Sequence, residues 1–301
     1  MHRRPGEHPV RGWLDAVRLA LGTLTVLPTR PPGRVDRAVG GRAMTLAPLV
    51  GLLLAVPVLL GLRLLGADEG VAHPGPPPLL VAGLVVGALA LLTRGMHLDG
   101  LADTADGLGS GKPAEAALTI MRKSDVGPFG VLTLVVVLLV QVASLAAALR
   151  VGFGAPAVLA ALVTSRLALP VACSRGIPSA RPEGLGAVVA GTVGRAALLA
   201  SVVLALLALA AGVVLAAALS PTATLGVPDP RPGELVTVVG GSLLRPLAGA
   251  LLVVAVPLVP AGLYLFRCVR RLGGVTGDVL GACVEITFTA SLVASALLLP
   301  R

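Results

Sequence analysis

Residues 94–130, RGMHLDGLADTADGLGSGKPAEAALTIMRKSDVGPFG, form a polar island between two long apolar runs. The island carries five of the fifteen acidic residues of the 301-residue chain: Asp99, Asp103, Asp106, Glu115 and Asp125. Asp99, Asp103 and Asp106 stand at i, i+4 and i+7, so on a helix their carboxylates share one face. Like charges at that spacing repel, and three converging carboxylates ask for a hard cation. All-oxygen donors suit Mg2+, which typically binds one or two carboxylates together with substrate phosphates. A solvated acidic face is the competing reading; the scarcity of acids elsewhere and the apolar flanks weigh against it.

Outward from the island the chain is membrane-like. It is 55% hydrophobic and only 13% charged, with a mean hydropathy of +0.94, against about 25% charged residues in a soluble domain. The expected fold is all-α: one integral-membrane domain over residues 1–301, a polytopic transmembrane helical bundle. Runs of ~20 apolar residues suffice to cross a bilayer. They place seven spans at about 44–65, 78–93, 130–149, 155–173, 196–219, 240–265 and 279–299. The run 19–28 is too short and lies between Arg18 and Arg30, so it reads as an interfacial or re-entrant segment. The N-terminal stretch is basic, carries acids and does not read as a signal peptide. Cys173, Cys268 and Cys283 show no spacing for zinc or a disulfide framework.

Loop charge sets the orientation. The region up to Arg42, the acidic island and the loops 174–195 and 266–278 together hold 18 of the 24 basic residues. With those loops inside, the seven spans obey the positive-inside rule, and the polar loops all reach the cytoplasmic face, where they can build one site. The net charge of +9 is explained by this asymmetry and implies no nucleic-acid partner.

Several pieces join the acidic helix in that site. Arg94 and His97 begin the island, and Arg122 and Lys123 precede its Gly-Pro turn. Arg166 lies inside the fourth span, where an ionisable group is costly and marks function by default. ARPEGLG, 180–186, offers Arg181 and Glu183 in a Gly-bounded loop suited to an anionic or hydroxylated ligand. In RLGGVTGDVLGACVEIT, 271–287, the glycines suggest accessible backbone N–H groups. Thr276 and Asp278 open a helix there. Glu285, at i+7 from Asp278, shares its face and needs a partner.

Taken together, HLDGLADTADG at 97–107, the Gly-rich end of the island at 120–130, RPEGLG at 181–186 and GGVTGDVLGA at 273–282 resemble, in that order, the adenosylcobinamide-GDP ribazoletransferase (cobalamin synthase) family. The resemblance covers nearly the whole chain. It implies an Mg2+-dependent phosphotransferase of the bacterial cytoplasmic membrane. Such an enzyme joins α-ribazole, or its 5′-phosphate, to the cobinamide phosphate of adenosylcobinamide-GDP and releases GMP. Asp103 and Asp106 are then expected as catalytic residues, and Asp99, Asp103, Asp106 and Asp278 as metal ligands. Arg94, His97, Arg122, Lys123, Arg166, Arg181, Glu183, Thr276 and Glu285 are expected to bind substrate. A homo-oligomer is left open. Two other readings compete with this resemblance. A CDP-alcohol phosphotransferase also uses helix-spaced aspartates, but Asp99-Gly100 lacks the following Ala-Arg. A transporter would show repeats and midplane charges, and no repeat is visible.

Overall fold

The computed structural model describes residues 9–67, 75–219 and 254–298. Among them the chain forms eleven helices and no strand. They are α1 (Pro9–Leu24), α2 (Arg37–Leu64), α3 (Pro78–Leu92), α4 (Met96–Gly109), α5 (Ala114–Ile120), α6 (Pro128–Arg150), α7 (Gly154–Ala172), α8 (Gly184–Val189), α9 (Arg195–Leu219), α10 (Leu258–Leu272) and α11 (Gly277–Leu298).

Five helices, α2, α6, α7, α9 and α11, are long and apolar enough to cross a membrane, and the bent pair α3–α4 makes a sixth candidate. This is close to the seven spans expected. The expected span over 240–265 falls mostly outside the described residues. Its described end runs on as α10 to Leu272, so Arg267, Arg270 and Arg271 lie on a helix where a loop was expected. Basic side chains at a helix C-terminus are favourable, so the loss of hydropathy after 265 ends the apolar run but not the helix. Gly273, at φ 83°, ends it.

Helix α7 is the hub. Of its apolar window 78% is buried, against 22% in α6 and in α9. It packs on α2 and α11, and Gly51 of α2 lies so close that a Cβ there would sit 2.4 Å from the Leu162 carbonyl oxygen. Small residues at such crossings let membrane helices approach backbone to backbone. By contrast α6 and α9 expose Leu132, Val136, Leu139, Leu199 and Leu207, the faces that lipid would cover.

The segment expected to be interfacial or re-entrant falls on α1, which begins earlier than the apolar run does. Ala16, Leu19, Ala20 and Leu24 are buried, while Trp13, Leu14 and Val17 stay exposed on the outer side. Interleaved Arg11, Asp15 and Arg18 hid this helix from a search for unbroken hydropathy.

The feature that positions the site is the elbow between α3 and α4, a bend of 88°. Arg94 is the one non-glycine residue with positive φ among those described (55°), and Gly95 follows at 64°. A left-handed Arg is strained. It is held because its guanidinium donates to the Gly22 carbonyl at 2.6 Å, while Val26 N–H donates to the Leu92 carbonyl at 2.7 Å. Helix α4 therefore leaves the direction of α3, and we place it outside the spanning segments.

Candidate active site

Gly100 of α4 meets the first turn of α11: a Cβ there would lie 2.7 Å from the Asp278 carbonyl oxygen and 2.9 Å from its Cα. Gly281 packs against the His97 backbone in the same way, at 3.2 Å. Two helices this close bring the carboxylates of Asp99, Asp103 and Asp278 to one crevice. Asp99 is exposed, and Asp103 and Asp278 are half-buried. Burial first, then the carboxylates of Asp99, Asp278 and Asp106, push Asp103 up to about 7, with Arg181 opposing. Burial and like charges facing each other both disfavour the ionised form.

Arg181 is the cation of the crevice. Its Nη1 lies 3.7 Å from Asp278 Oδ2, and its Nη2 donates to the Leu118 carbonyl at 2.7 Å. It reaches the crevice because its loop is sewn to the loop before α11. Ala180 N–H donates to the Val275 carbonyl at 3.0 Å, and Val275 N–H to the Pro178 carbonyl at 2.9 Å. A Cβ on Gly274 would meet the Pro178–Ala180 backbone at 2.5 Å, and one on Gly186 the Val275 carbonyl at 2.6 Å. The glycines of both motifs thus permit loop-to-loop contact, and Val275 N–H is spent on that contact. Thr276 caps α11, accepting from Val279 N–H at 3.2 Å and donating to Asp278 Oδ2 at 3.1 Å.

Asp106 differs from its two helical neighbours. It is buried, and accepts from Gly127 N–H at 2.7 Å and Gly130 N–H at 2.9 Å, one on each oxygen. It caps the start of α6, and Gly127 and Gly130 leave room for it, since a Cβ on either would strike the carboxylate. Arg122 pairs with Glu183 at 2.8 Å on the exposed rim, joining the loop after α5 to the loop before α8. Lys123 is exposed on the same rim. Arg94 is engaged with Gly22 at the elbow. His97 is buried, and neither ring nitrogen has a partner.

Arg166 and Glu285 are brought together elsewhere, inside the bundle, around a cavity shared with Gln141 and Thr93. Gln141 and Thr93 were not expected from sequence. A single amide in the apolar run VLLVQVASL was the available signal for Gln141.

The crevice supplies oxygen donors only. Among the described residues no three His, Cys, Asp or Glu side chains converge closely enough to hold a metal by themselves. Crowded carboxylates with a single guanidinium fit a hard cation shared with substrate phosphates rather than one caged by protein.

The cobalamin-5-phosphate synthase family matches residues 16–296. An adenosylcobinamide-GDP ribazoletransferase of Frankia casuarinae is 40% identical over 291 residues, covering 94% of this chain and 95% of that protein. One from a Nocardioides species is 42% identical over 281 residues, 93% of this chain and 97% of its own length. One from Pseudomonas paraeruginosa is 36% identical over 299 residues, 96% and 100%. No solved structure matches. With matches running from α1 to α11 through every loop of the crevice, the chain belongs to the cobalamin-5-phosphate synthase family.

Proposed function

We propose that the crevice between α4, the first turn of α11 and the 178–186 loop joins adenosylcobinamide-GDP to α-ribazole or its 5′-phosphate. A ribose hydroxyl oxygen attacks the phosphorus that bears the cobinamide. The bond from that phosphorus to the bridging oxygen breaks, and GMP leaves. The hydroxyl proton passes to a carboxylate of the crevice, and Asp103 is the one best placed between its neighbours. The products are adenosylcobalamin, or its 5′-phosphate, and GMP.

The observation that carries this reading is the crowding of Asp99, Asp103 and Asp278, with the Arg181 guanidinium beside Asp278. Carboxylates of this set would hold Mg2+ jointly with the substrate phosphates, and the ion would supply positive charge to the pyrophosphate. Arg181 stands beside them to meet phosphate oxygens. Arg122, Lys123 and Glu183 form the rim over which substrate enters. Asp106 serves the site through α6, whose start it fixes against α4. Most of the expected rate gain comes from alignment and charge neutralisation.

The test is GMP release from adenosylcobinamide-GDP by the purified protein in lipid. Release should require α-ribazole, stop with a chelator and resume with Mg2+. Full activity in excess chelator removes the metal from the reading.

The crevice is further proposed to face the cytoplasm, supported by the basic residues gathered on its loops. A reporter fused after Gly111 or Gly184 should read cytoplasmic. An external signal at 184 overturns the orientation.

A further inference from the structure

Two turns into α11 from Asp278, Glu285 sits in a polar cluster where the bundle is otherwise apolar. Gln141 of α6 donates to Glu285 Oε2 at 2.9 Å and to Thr289 Oγ1 at 3.0 Å. Arg166 of α7 is 3% exposed and donates from Nη1 to Ser165 Oγ at 2.9 Å, but its Nε is buried with no partner. Arg166, Glu285, Gln141 and Thr93 line one cavity of about 20 Å3, whose other walls are apolar, among them Leu89, Leu162 and Phe288. A buried guanidinium N–H left unpaired is costly. A cavity of this size admits one water, provided two to four polar groups surround it.

We propose that this cavity holds one ordered water that braces the α3–α4 elbow. The water accepts from Arg166 Nε and donates to Glu285 and to Thr93 Oγ1. Thr93 gives its own proton to the Leu89 carbonyl at 2.9 Å, so its oxygen is free to accept. The walls carry one positive and one negative side chain, which leaves no net charge to draw in an ion, and the volume suits a single water. Thr93 is the last residue before Arg94 and Gly95, where the chain turns by 88°. The bridge therefore ties α7 and α11 to the hinge that aims α4 at Asp278. Arg166, Glu285 and Thr93 are positioning residues, acting on the carboxylates of the crevice through the elbow.

The test compares Arg166→Met, Glu285→Leu, the double variant and the milder Thr93→Val, all as full-length protein in lipid. Each charge-removing single variant strands the opposite charge, so its Tm should fall by at least about 5 °C. The double variant should regain most of that loss. Turnover should not return with it: kcat for GMP release should stay down about tenfold in the double and several-fold in Thr93→Val. KM should remain within twofold in both. Recovery of kcat together with Tm would reduce the cluster to charge balance and overturn the proposal. So would a KM rise without a kcat loss, which marks a substrate contact, or single variants that melt like wild type. An experimental density map that resolves ordered waters gives the direct answer, and a dry cavity there refutes the bridge. If the wild-type protein releases no GMP, the proposed reaction fails, while the melting series and the map still decide the water.

Discussion

The two halves of α4 are built from the same residue types and do different work. In the first half Asp99, Gly100 and Asp103 face α11, and the glycine lets the Asp278 backbone close in to where a Cβ would stand. In the second half Asp106, Gly107 and Gly109 face α5 and α6. There a Cβ on Gly107 would strike Met121 and one on Gly109 would strike Phe129. The first pair of helices meets carboxylate to carboxylate, the second carboxylate to free backbone N–H groups. A carboxylate with two N–H donors is satisfied by the protein, whereas carboxylates facing one another are left wanting a cation. The same spacing on one helix thus yields a reactive half and a structural half, and the difference is set by what lies opposite.

That contrast can be broken at several points. The largest effect is expected at Asp103. Asp103→Asn keeps size and one oxygen but loses charge, so kcat should fall ~100-fold or more, the size typical of removing one such electrostatic contact. Without substrate or cation its thermal stability should equal or exceed that of the wild type, since one of three crowded carboxylates is neutralised. Turnover near wild type at saturating substrate and low Mg2+ would make the first half a solvated face.

Arg181→Ala should act next. The loop contacts that hold its backbone remain, so the protein should reach the membrane at wild-type levels, with KM for one substrate raised about tenfold. A change confined to kcat would move Arg181 from binding into the chemistry.

Asp106→Ala should show the reverse pattern to Asp103→Asn. Loss of the cap should cost about 0.5–2 kcal/mol of stability, read as a lower Tm, with KM little changed. Thermal stability equal to wild type would return Asp106 to the reactive half. The smallest effect is expected on the rim. The Arg122–Glu183 pair is more than half exposed on both sides, so Arg122→Ala should change stability by less than ~1 kcal/mol.

The chain's own residues determined much of this. Length and hydropathy fix the spanning helices, because a bilayer admits only segments that satisfy their own backbone. The i, i+4, i+7 spacing put three carboxylates on one face before any packing was known. The loop motifs identified the pieces of the site. Tertiary structure alone decided how those pieces are used. The elbow at Arg94 is invisible to propensity, since its left-handed Arg is held by contacts from the distant α1 end, the Gly22 carbonyl and Val26 N–H. The separation of Asp106 from Asp103 depends on N–H groups 21 and 24 residues away. The glycines at 273–277 suggest exposed backbone N–H groups for a ligand, and in the fold Gly274, like Gly186 of the other loop motif, allows backbones to touch. Arg166 and Glu285 were singled out as charges at membrane depth, but only packing placed them with Gln141 and Thr93 beneath the hinge. Hydropathy and helical period are local quantities, whereas the partner of a buried polar group is chosen by contacts between segments far apart in the chain.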